Sequence, residues 1–295
     1  MADLANKLLT FYDNNITASR SIAWLLLEHI TGKTRESLLI ERDFVLSSTQ
    51  NQLLDILLID LLEKHKPLAY ILGTVEFAGL DLLIEPPILI PRPETEEWCL
   101  DLIEHIKPLV SQANYQGSSQ RFTIVDVCTG SGCIALALAH AFDQAEVYAL
   151  DINPQALKLA QKNAQKLGIK NIKFLESDLL SALSTCFKAD LITANPPYIN
   201  PQDFAALEPT VRKWEDYQAL CAEGKGLALI EKLVNTAPQF LTTRYGCGEF
   251  WCEIGYNQAQ EVEELFKKAG FGQIIIKKDL AGMPRVACGI AISAK

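Results

Sequence analysis

The sequence lacks the features that mark secreted, membrane-spanning and metal-binding proteins. Its first residues carry no basic stretch followed by an apolar core, so we expect no signal peptide. No apolar run reaches the roughly 18–20 residues that cross a bilayer. The eight cysteines form no C-x-x-C pair, and the four histidines are scattered without metal-ligand spacing. We therefore predict a cytoplasmic protein with reduced, mostly buried thiols and no metal site.

Positive charge is also scarce. The 36 acidic residues outnumber the 27 lysines and arginines, which leaves a formal net charge of −9. This balance argues against a general nucleic-acid binder, whose domain is usually basic. At 295 residues and 49% hydrophobic content, the chain is long enough for two domains with a sizeable core. We expect a globular protein, a monomer, that makes no direct contact with nucleic acid.

Residues 1–66 predict a small helical domain. Apolar residues recur at helical spacing over 22–30 and 53–62, and the second stretch ends before a proline. No polar residue here has an obvious chemical role. Over residues 67–91 the pattern changes to short apolar runs around glycines, the first at 70–73, which predicts a β-hairpin linker.

Residues 92–295 alternate between strands and helices. Repeated strand–helix units of this length imply an α/β fold with a mostly parallel, doubly wound sheet, closed here by a C-terminal antiparallel hairpin. The predicted strands are 122–127, 146–151, 172–175, 191–194, 248–254, 273–276 and 286–292, the predicted helices begin near 93, 133, 154, 227 and 257, and a polar loop is predicted at 112–120.

A glycine turn with the sequence D-V-C-T-G-S-G, at 126–132, separates the first of these strands from the helix after it. Its small residues let a ligand approach N–H groups at a helix N-terminus. The turn is not a nucleoside triphosphate loop, and it lacks the third glycine of a dinucleotide site. Asp151, at the end of the second strand, is placed to bind both hydroxyls of a ribose, and Asp178, after the third, could reach an adenine amine. Either acid alone could simply cap a helix, but together the three strand ends describe one adenosine-like ligand.

The run Asn195-Pro196-Pro197-Tyr198 follows the fourth strand. Its prolines force the chain to leave the sheet as a stiff, extended loop. The Asn195 side-chain oxygen and the carbonyls of Asn195 and Pro196 then form a rim of acceptors, with the aromatic face of Tyr198 beside it. Such a rim suits a planar group with N–H donors, either a carboxamide or the exocyclic amine of a base. The alternative is a strand exit with a capping asparagine.

These motifs together resemble those of the peptide chain release factor glutamine methyltransferases, and the match runs nearly end to end. It consists of A-Y-I-L-G-x-x-x-F-x-G-L at 69–80, I-P-R-P-E-T-E at 90–96, D-x-x-T-G-S-G at 126–132, N-P-P-Y at 195–198, V-R-x-W-E at 211–215, E-I-G-x-x-Q at 253–258 and D-L-A-G-x-x-R at 279–285. N-P-P-Y alone is shared with nucleic-acid adenine methyltransferases. The resemblance implies a Rossmann-like methyltransferase domain that uses S-adenosyl-L-methionine, and an N-terminal helical domain that helps to grip the release factor.

The resemblance also implies the site residues. The cofactor would be held by Cys128, Thr129, Gly130, Ser131, Gly132, Asp151, Asp178, Leu179 and Asn195, and the glutamine of the G-G-Q loop by Asn195, Pro196, Pro197 and Tyr198. No base is evident, so we expect direct methyl transfer through positioning: the Asn195 side chain and the Pro196 carbonyl accept the amide hydrogens, and Tyr198 packs on the amide plane. Cys128 stands where the family usually has glycine, and a small thiol should be tolerated there if φ is negative.

Several alternatives remain open at this stage. The chain could be a ribosomal-protein glutamine methyltransferase, a nucleic-acid adenine methyltransferase, or a non-catalytic adaptor that binds S-adenosylmethionine. Arg92 and Glu94 could form a surface ion pair, cap a helix or close the cofactor pocket. Arg212 and Glu215 could form a solvated loop pair or part of a substrate groove.

Overall fold

The structure, a computed structural model, describes residues 16–41, 44–115, 121–242 and 248–291. The first part of the predicted N-terminal helical domain, the end of the predicted polar loop, and Cys247 lie outside these residues. The chain divides into two compact units: Met1–Thr74 with Glu208–Trp214, and Val75–Leu207 with Glu215–Lys295. The domain boundaries expected at residues 66 and 91 stay a prediction.

The described part of the first unit is mainly helical, as the sequence predicts. Helix α1 spans Ile16–Thr31, α2 spans Arg35–Ile40, and α3 spans Ser48–Leu58 and continues as a π-helical turn at Ile59–Glu63. A capping box begins α3, because the side chains of Ser47 and Gln50 each accept a hydrogen bond from the other's backbone N–H. The apolar faces bury a core cluster that includes Leu26, Leu58 and Leu61.

Residues 70–73, predicted as a short strand, belong instead mainly to helix α4 (Leu68–Leu72). Gly73 ends this helix in the left-handed conformation, with a φ of +74°. Ile71 is buried in the helical core of the first unit. The strand prediction was wrong because so short an apolar run has no clear period, so tertiary packing decides between helix and strand.

Strands and helices alternate after α4. The elements are β1 (Thr74–Phe77), β2 (Leu80–Leu83), α5 (Pro93–Tyr115), β3 (Thr123–Val127), α6 (Cys133–Ala141), β4 (Glu146–Asp151), α7 (Pro154–Leu167), β5 (Ile172–Glu176), β6 (Leu191–Ala194), a 3₁₀ turn (Pro201–Ala206), α8 (Pro209–Arg212), α9 (Tyr217–Leu220), α10 (Ala228–Phe240), β7 (Glu249–Glu253), α11 (Ala259–Lys268), β8 (Phe271–Lys278) and β9 (Pro284–Ala291). Strands β1 and β2 pair in a separate two-stranded sheet, as expected of a hairpin.

Helix α5 is longer than the sequence suggests, since it includes residues 112–115, which were predicted as loop. Val110 and Ala113 continue the buried face of the helix toward its C-terminal end. Pro108 lies inside the helix without ending it. The loop prediction rested on polar composition, and the apolar face that keeps these residues helical is sparse at this end.

The second unit is built on a seven-stranded sheet with the order β5-β4-β3-β6-β7-β9-β8. Strands β3 to β7 are parallel, while β9 runs antiparallel to both β7 and β8. The central strands β3 and β6 are almost wholly buried, which explains their continuous apolar runs. This arrangement confirms the predicted α/β class, the mostly parallel sheet and the closing hairpin.

The carboxyl ends of the parallel strands meet at one edge of the sheet. Val127 of β3 pairs in register with Leu150 of β4 and with Ala194 of β6, so these chains leave the sheet at the same level. Ligands of open α/β sheets bind at this edge. The glycine turn, Asp151 and Asn195 are therefore brought together by strand register.

Most of the cysteines that the structure describes are buried, as predicted. Cys186 is an exception, because its side chain is exposed, and Cys128 is half-buried. No helix in the described ranges is long and apolar enough to cross a membrane.

Candidate active site

A cavity opens at the carboxyl edge of β3 to β6. Its walls come from the glycine turn, the end of β4, the loop after β5 and the loop after β6, together with segments before α5 and around α9. The lining residues used below are Ile88, Cys128, Gly130, Asp151, Ile152, Asp178, Leu179, Asn195, Pro197 and Asp216. Of the predicted site residues, Thr129, Ser131, Gly132, Pro196 and Tyr198 do not line this cavity, and their roles as ligand contacts stay a prediction.

The glycine turn is held in place by Asp126, the carboxylate that begins it. Asp126 is fully buried, and it accepts hydrogen bonds from the Thr129 hydroxyl at 2.6 Å and the Thr193 hydroxyl at 2.8 Å. Burial raises the pKa of Asp126 to about 7, against the effect of these two hydroxyls. Thr129 thus ties the turn to the carboxylate behind it.

Stability should therefore depend on pH through Asp126. Because its pKa is about 7 in the folded chain and about 3.9 in an unfolded one, the folded state binds more protons within this window, and stability falls as pH rises through it. Asp126→Asn removes this dependence. We expect its free energy of unfolding, relative to wild type, to rise by about 2 kcal/mol between about pH 5.5 and pH 8. Denaturant unfolding at several pH values checks this, and a pH-independent difference would contradict it.

Gly132 allows α6 to pack closely on α7. Its φ is +85°, and an added Cβ would lie 2.9 Å from the Ala160 side chain. The neighbouring Ser131 carbonyl accepts a hydrogen bond from Asn163 of α7 at 3.0 Å. These two residues therefore shape the start of α6. Gly130 differs, because an added Cβ there would meet no atom within 4 Å, and this residue lines the cavity.

Cys128 adopts a φ of +59°, so the condition under which a thiol is readily tolerated here, a negative φ, is not met. This left-handed backbone explains why glycine suits the position: it lacks the Cβ that clashes with the backbone there. The Cys128 thiol lines the cavity, and burial raises its pKa well above the ordinary value. The thiol is therefore protonated and weakly nucleophilic.

The strain at Cys128 predicts a large effect on stability for one substitution and a small effect for another. Cys128→Val should lower the free energy of unfolding by about 2 kcal/mol, because a β-branched residue is a steric outlier at positive φ. Cys128→Gly should change it by less than about 1 kcal/mol, since relief of strain offsets the greater freedom of glycine in the unfolded chain. Denaturant unfolding of both variants tests this prediction. Equal free energies of unfolding for the valine and glycine variants would contradict it.

Asp151 joins the glycine turn to the start of α7. Its Oδ2 accepts a hydrogen bond from the Gly130 N–H at 2.8 Å, and its Oδ1 accepts one from the Asn153 N–H at 2.9 Å. Burial raises the pKa of Asp151, and these backbone donors oppose that rise. Each carboxylate oxygen can accept a second hydrogen bond. A ligand hydroxyl in the cavity could supply it.

The loop after β5 brings Asp178 and Leu179 to the cavity. Leu179 also has a positive φ, +52°, and its carbonyl accepts a hydrogen bond from the Ser177 hydroxyl at 2.7 Å. The Ser177 N–H donates to the Asp151 carbonyl at 2.9 Å. The side chain of Leu179 and the carboxylate of Asp178 are thus placed on the wall by a braced loop.

The N-P-P-Y loop is fixed by residues that the sequence reasoning did not assign to the site. The Tyr198 hydroxyl donates to Glu253 Oε1 at 3.0 Å. Gln258 donates through Nε2 to the Tyr198 carbonyl at 2.9 Å. Gly226 packs so closely that an added Cβ would lie 2.0 Å from the Tyr198 carbonyl oxygen. Glu253 and Gln258 are the polar residues of the E-I-G-x-x-Q motif, and this motif is the feature of the sequence that could have indicated their contacts with the loop.

Glu253 lies at the end of β7 and connects three of the motifs. It is 1% exposed, and its Oε2 accepts hydrogen bonds from the Thr95 hydroxyl at 2.6 Å and the Trp98 indole at 2.8 Å. Asn195 reaches this group through its side-chain nitrogen, which lies 3.4 Å from Thr95 Oγ1. Burial raises the pKa of Glu253, and its three donors oppose that rise.

Two of the charged residues with open roles, Arg92 and Glu215, pair with each other. Arg92 donates to Glu215, whose side chain is 1% exposed, so this ion pair links I-P-R-P-E-T-E to V-R-x-W-E. Glu94 is exposed. Next to this pair, the Asp216 N–H donates to the Pro87 carbonyl at 2.9 Å. These contacts hold together the two segments that face the strand ends across the cavity.

Comparisons with known proteins agree with this geometry. The chain matches a family described as a methyltransferase domain over residues 118–278, and one described as the PrmC N-terminal domain over residues 9–73. Release factor glutamine methyltransferase from Salmonella typhimurium is 38% identical over 273 residues, which cover 92% of this chain and 91% of the relative. The protein of that name from Escherichia coli is 38% identical over 270 residues, with the same coverage. The hMettl16 catalytic domain, solved with the MAT2A 3'UTR hairpin 1, has a TM-score of 0.55 at 18% identity, covering 74% of this chain and 79% of that one; this likeness concerns the fold alone.

Proposed function

We propose that this chain, which belongs to the release factor glutamine methyltransferase family, methylates the side-chain amide nitrogen of the glutamine in the GGQ motif of peptide chain release factors. The methyl donor is S-adenosyl-L-methionine, and the product is S-adenosyl-L-homocysteine. The observation that carries the proposal is the position of Asn195: it lines the cavity beside Asp151 and Gly130, so an amide-binding group and a nucleoside-binding edge share one space.

The cavity has the features that the donor requires. Open space at Gly130 lets a ligand approach the backbone, and Asp151 retains acceptor capacity for ribose hydroxyls. Leu179, Ile152 and Ile88 offer apolar surface to a flat base, and Asp178 can accept from its amine. When bound, the donor supplies an electrophilic methyl group on a positively charged sulfur.

The chain contributes positioning to the chemistry. A carboxamide nitrogen is a weak nucleophile, because its lone pair is delocalised into the carbonyl. The Asn195 oxygen and the Pro196 carbonyl accept its two hydrogens and so orient the lone pair, and Tyr198 packs beside the amide plane. Glu253 does not act as the base, since it is 1% exposed and does not line the cavity. Such positioning contributes several kcal/mol to lowering a barrier.

The remaining parts of the proposal concern partners and location. The N-terminal helical unit, whose residues 9–73 match the PrmC N-terminal domain, helps to grip the release factor. The chain works as a monomer in the cytoplasm and does not bind nucleic acid directly, in keeping with its net charge of −9.

The test is incubation of the purified chain with methyl-labelled S-adenosylmethionine and purified release factors, followed by mass mapping of the GGQ peptide. One methyl group on that glutamine supports the proposal. A ribosomal protein and total RNA, offered in parallel, serve as competing substrates. Label on either of these, with none on the release factors, would contradict the substrate assignment.

A further inference from the structure

We infer that Thr95 and Glu253 are positioning residues that fix which way the Asn195 side-chain amide faces. The inference rests on the proposed function, because it gives these two side chains a part in the same methyl transfer. An asparagine amide has two similar ends, an acceptor oxygen and a donor nitrogen. Only the oxygen can accept a hydrogen from a substrate carboxamide, so the direction of this amide decides whether the site works.

The argument begins at Glu253 Oε2. The indole N–H of Trp98 points at this oxygen from 2.8 Å, and an indole nitrogen can only donate. Oε2 is therefore an acceptor. The other oxygen, Oε1, accepts from the Tyr198 hydroxyl at 3.0 Å, so both oxygens of the Glu253 carboxylate act as acceptors. Hence the Thr95 hydroxyl, 2.6 Å from Oε2, must donate its one hydrogen to that oxygen.

The direction of the Thr95 hydroxyl then decides the direction of Asn195. Once its hydrogen is used, Thr95 Oγ1 can only accept from other neighbours. The Asn195 side chain approaches it at 3.4 Å, and the contact is favourable when Asn195 presents its NH₂ group. The reversed amide would place two acceptor oxygens against each other with no hydrogen between them. Asn195 Oδ1 is therefore turned away from Thr95 and is free to accept from a ligand.

Burial makes this chain of contacts stiff. Thr95 is 1% exposed, and so is Glu253, so water cannot replace a missing partner at either group. Thr95 lies in the first turn of α5 and Glu253 at the end of β7, and both elements belong to the core of the second unit. The direction of the Asn195 amide is thus set by rigid elements rather than by the substrate.

The test compares two substitutions of Thr95. Thr95→Val keeps the shape of the side chain but removes the hydroxyl, so the Asn195 amide can reverse. We expect kcat for methylation of the GGQ glutamine to fall about 10- to 50-fold, with the KM for S-adenosylmethionine changed less than about threefold. Thr95→Ser restores the hydroxyl and should bring kcat to within about threefold of wild type.

Two further measurements distinguish a positioning role of Thr95 from a purely structural one. Trp251→Phe removes a buried indole donor from Glu249 on the same strand as Glu253, at 2.7 Å, and leaves the contacts of Glu253 and Thr95 in place, so it should lower stability but change kcat less than about threefold. In an Asn195→Ala background, Thr95→Val should change kcat less than about twofold, because the amide that it orients is gone. If Thr95→Val does not fold, Thr95→Ala removes the same hydroxyl with less bulk.

Three outcomes would overturn the inference: equal loss of kcat in Trp251→Phe and Thr95→Val, no recovery in Thr95→Ser, or an undiminished effect of Thr95→Val in the Asn195→Ala chain. Failure of the proposed function looks different, because the wild-type chain itself would then leave the GGQ glutamine unmethylated. That result would overturn both the function and the inference.

Discussion

Replacing Asn195 with alanine is expected to lower kcat for glutamine methylation by at least about 100-fold while the chain stays folded. The side chain lines the cavity, and its contact within the chain, 3.4 Å to Thr95, is long. Its loss therefore costs little stability, but the substrate amide loses an acceptor that orients its nitrogen. Single-turnover methylation of a release factor, with thermal unfolding measured alongside, checks both parts.

A matched control for this variant lies in the same loop. Asn200 caps the 3₁₀ turn at Pro201–Ala206 by accepting from the Gln202 N–H at 3.3 Å, and it does not line the cavity. Asn200→Ala should keep kcat within about threefold of wild type, because it removes a cap worth about 1 kcal/mol and no cavity group. Activity of Asn195→Ala close to that of this control would end the assignment of Asn195.

Replacing Asp151 with asparagine is expected to weaken binding of S-adenosylhomocysteine by at least about 30-fold, since hydrogen bonds to a charged acceptor contribute about 1.5–3 kcal/mol each. The carboxylate can serve the Gly130 and Asn153 N–H groups and ligand hydroxyls together because both oxygens accept. An asparagine turns one of these oxygens into a donor. Isothermal titration of the product measures the dissociation constant directly.

The control for this charge change is Asp143, which precedes β4 at the opposite end of the strand. Its side chain is exposed. Asp143→Asn alters the net charge by the same amount and should leave the dissociation constant within about twofold, because exposed charges beyond about 10 Å are screened. Equal binding by the two variants would mean that Asp151 does not contact the cofactor.

The sequence predicts the site best where polar side chains directly follow an apolar strand. Polar residues follow the apolar runs of β3, β4 and β6, so the sequence alone places Asp151 and Asn195 at one edge of the sheet. In short segments, the spacing of apolar residues and the composition do not distinguish a helix from a strand. Residues 70–73 fold as helix because Ile71 packs into a helical core, a contact that no local pattern shows.

The support of the site could not be read from the sequence, because it depends on contacts between distant residues. Thr95 and Glu253 are 158 positions apart, and Arg92 and Glu215 are 123 apart. A buried carboxylate in a strand looks like any other strand residue until its donors are known. The positive φ of Cys128 is likewise set by the turn around it and not by the cysteine itself.

The central claim is that the N-P-P-Y loop holds the glutamine amide beside the cofactor. A crystal structure of the chain with S-adenosylhomocysteine and a release factor tests it most directly. We predict that the GGQ glutamine nitrogen lies within hydrogen-bond distance of Asn195 Oδ1 and of the Pro196 carbonyl, with the ribose against Asp151. A glutamine amide bound away from Asn195, or a cofactor outside the cavity at β3 to β6, would contradict the account.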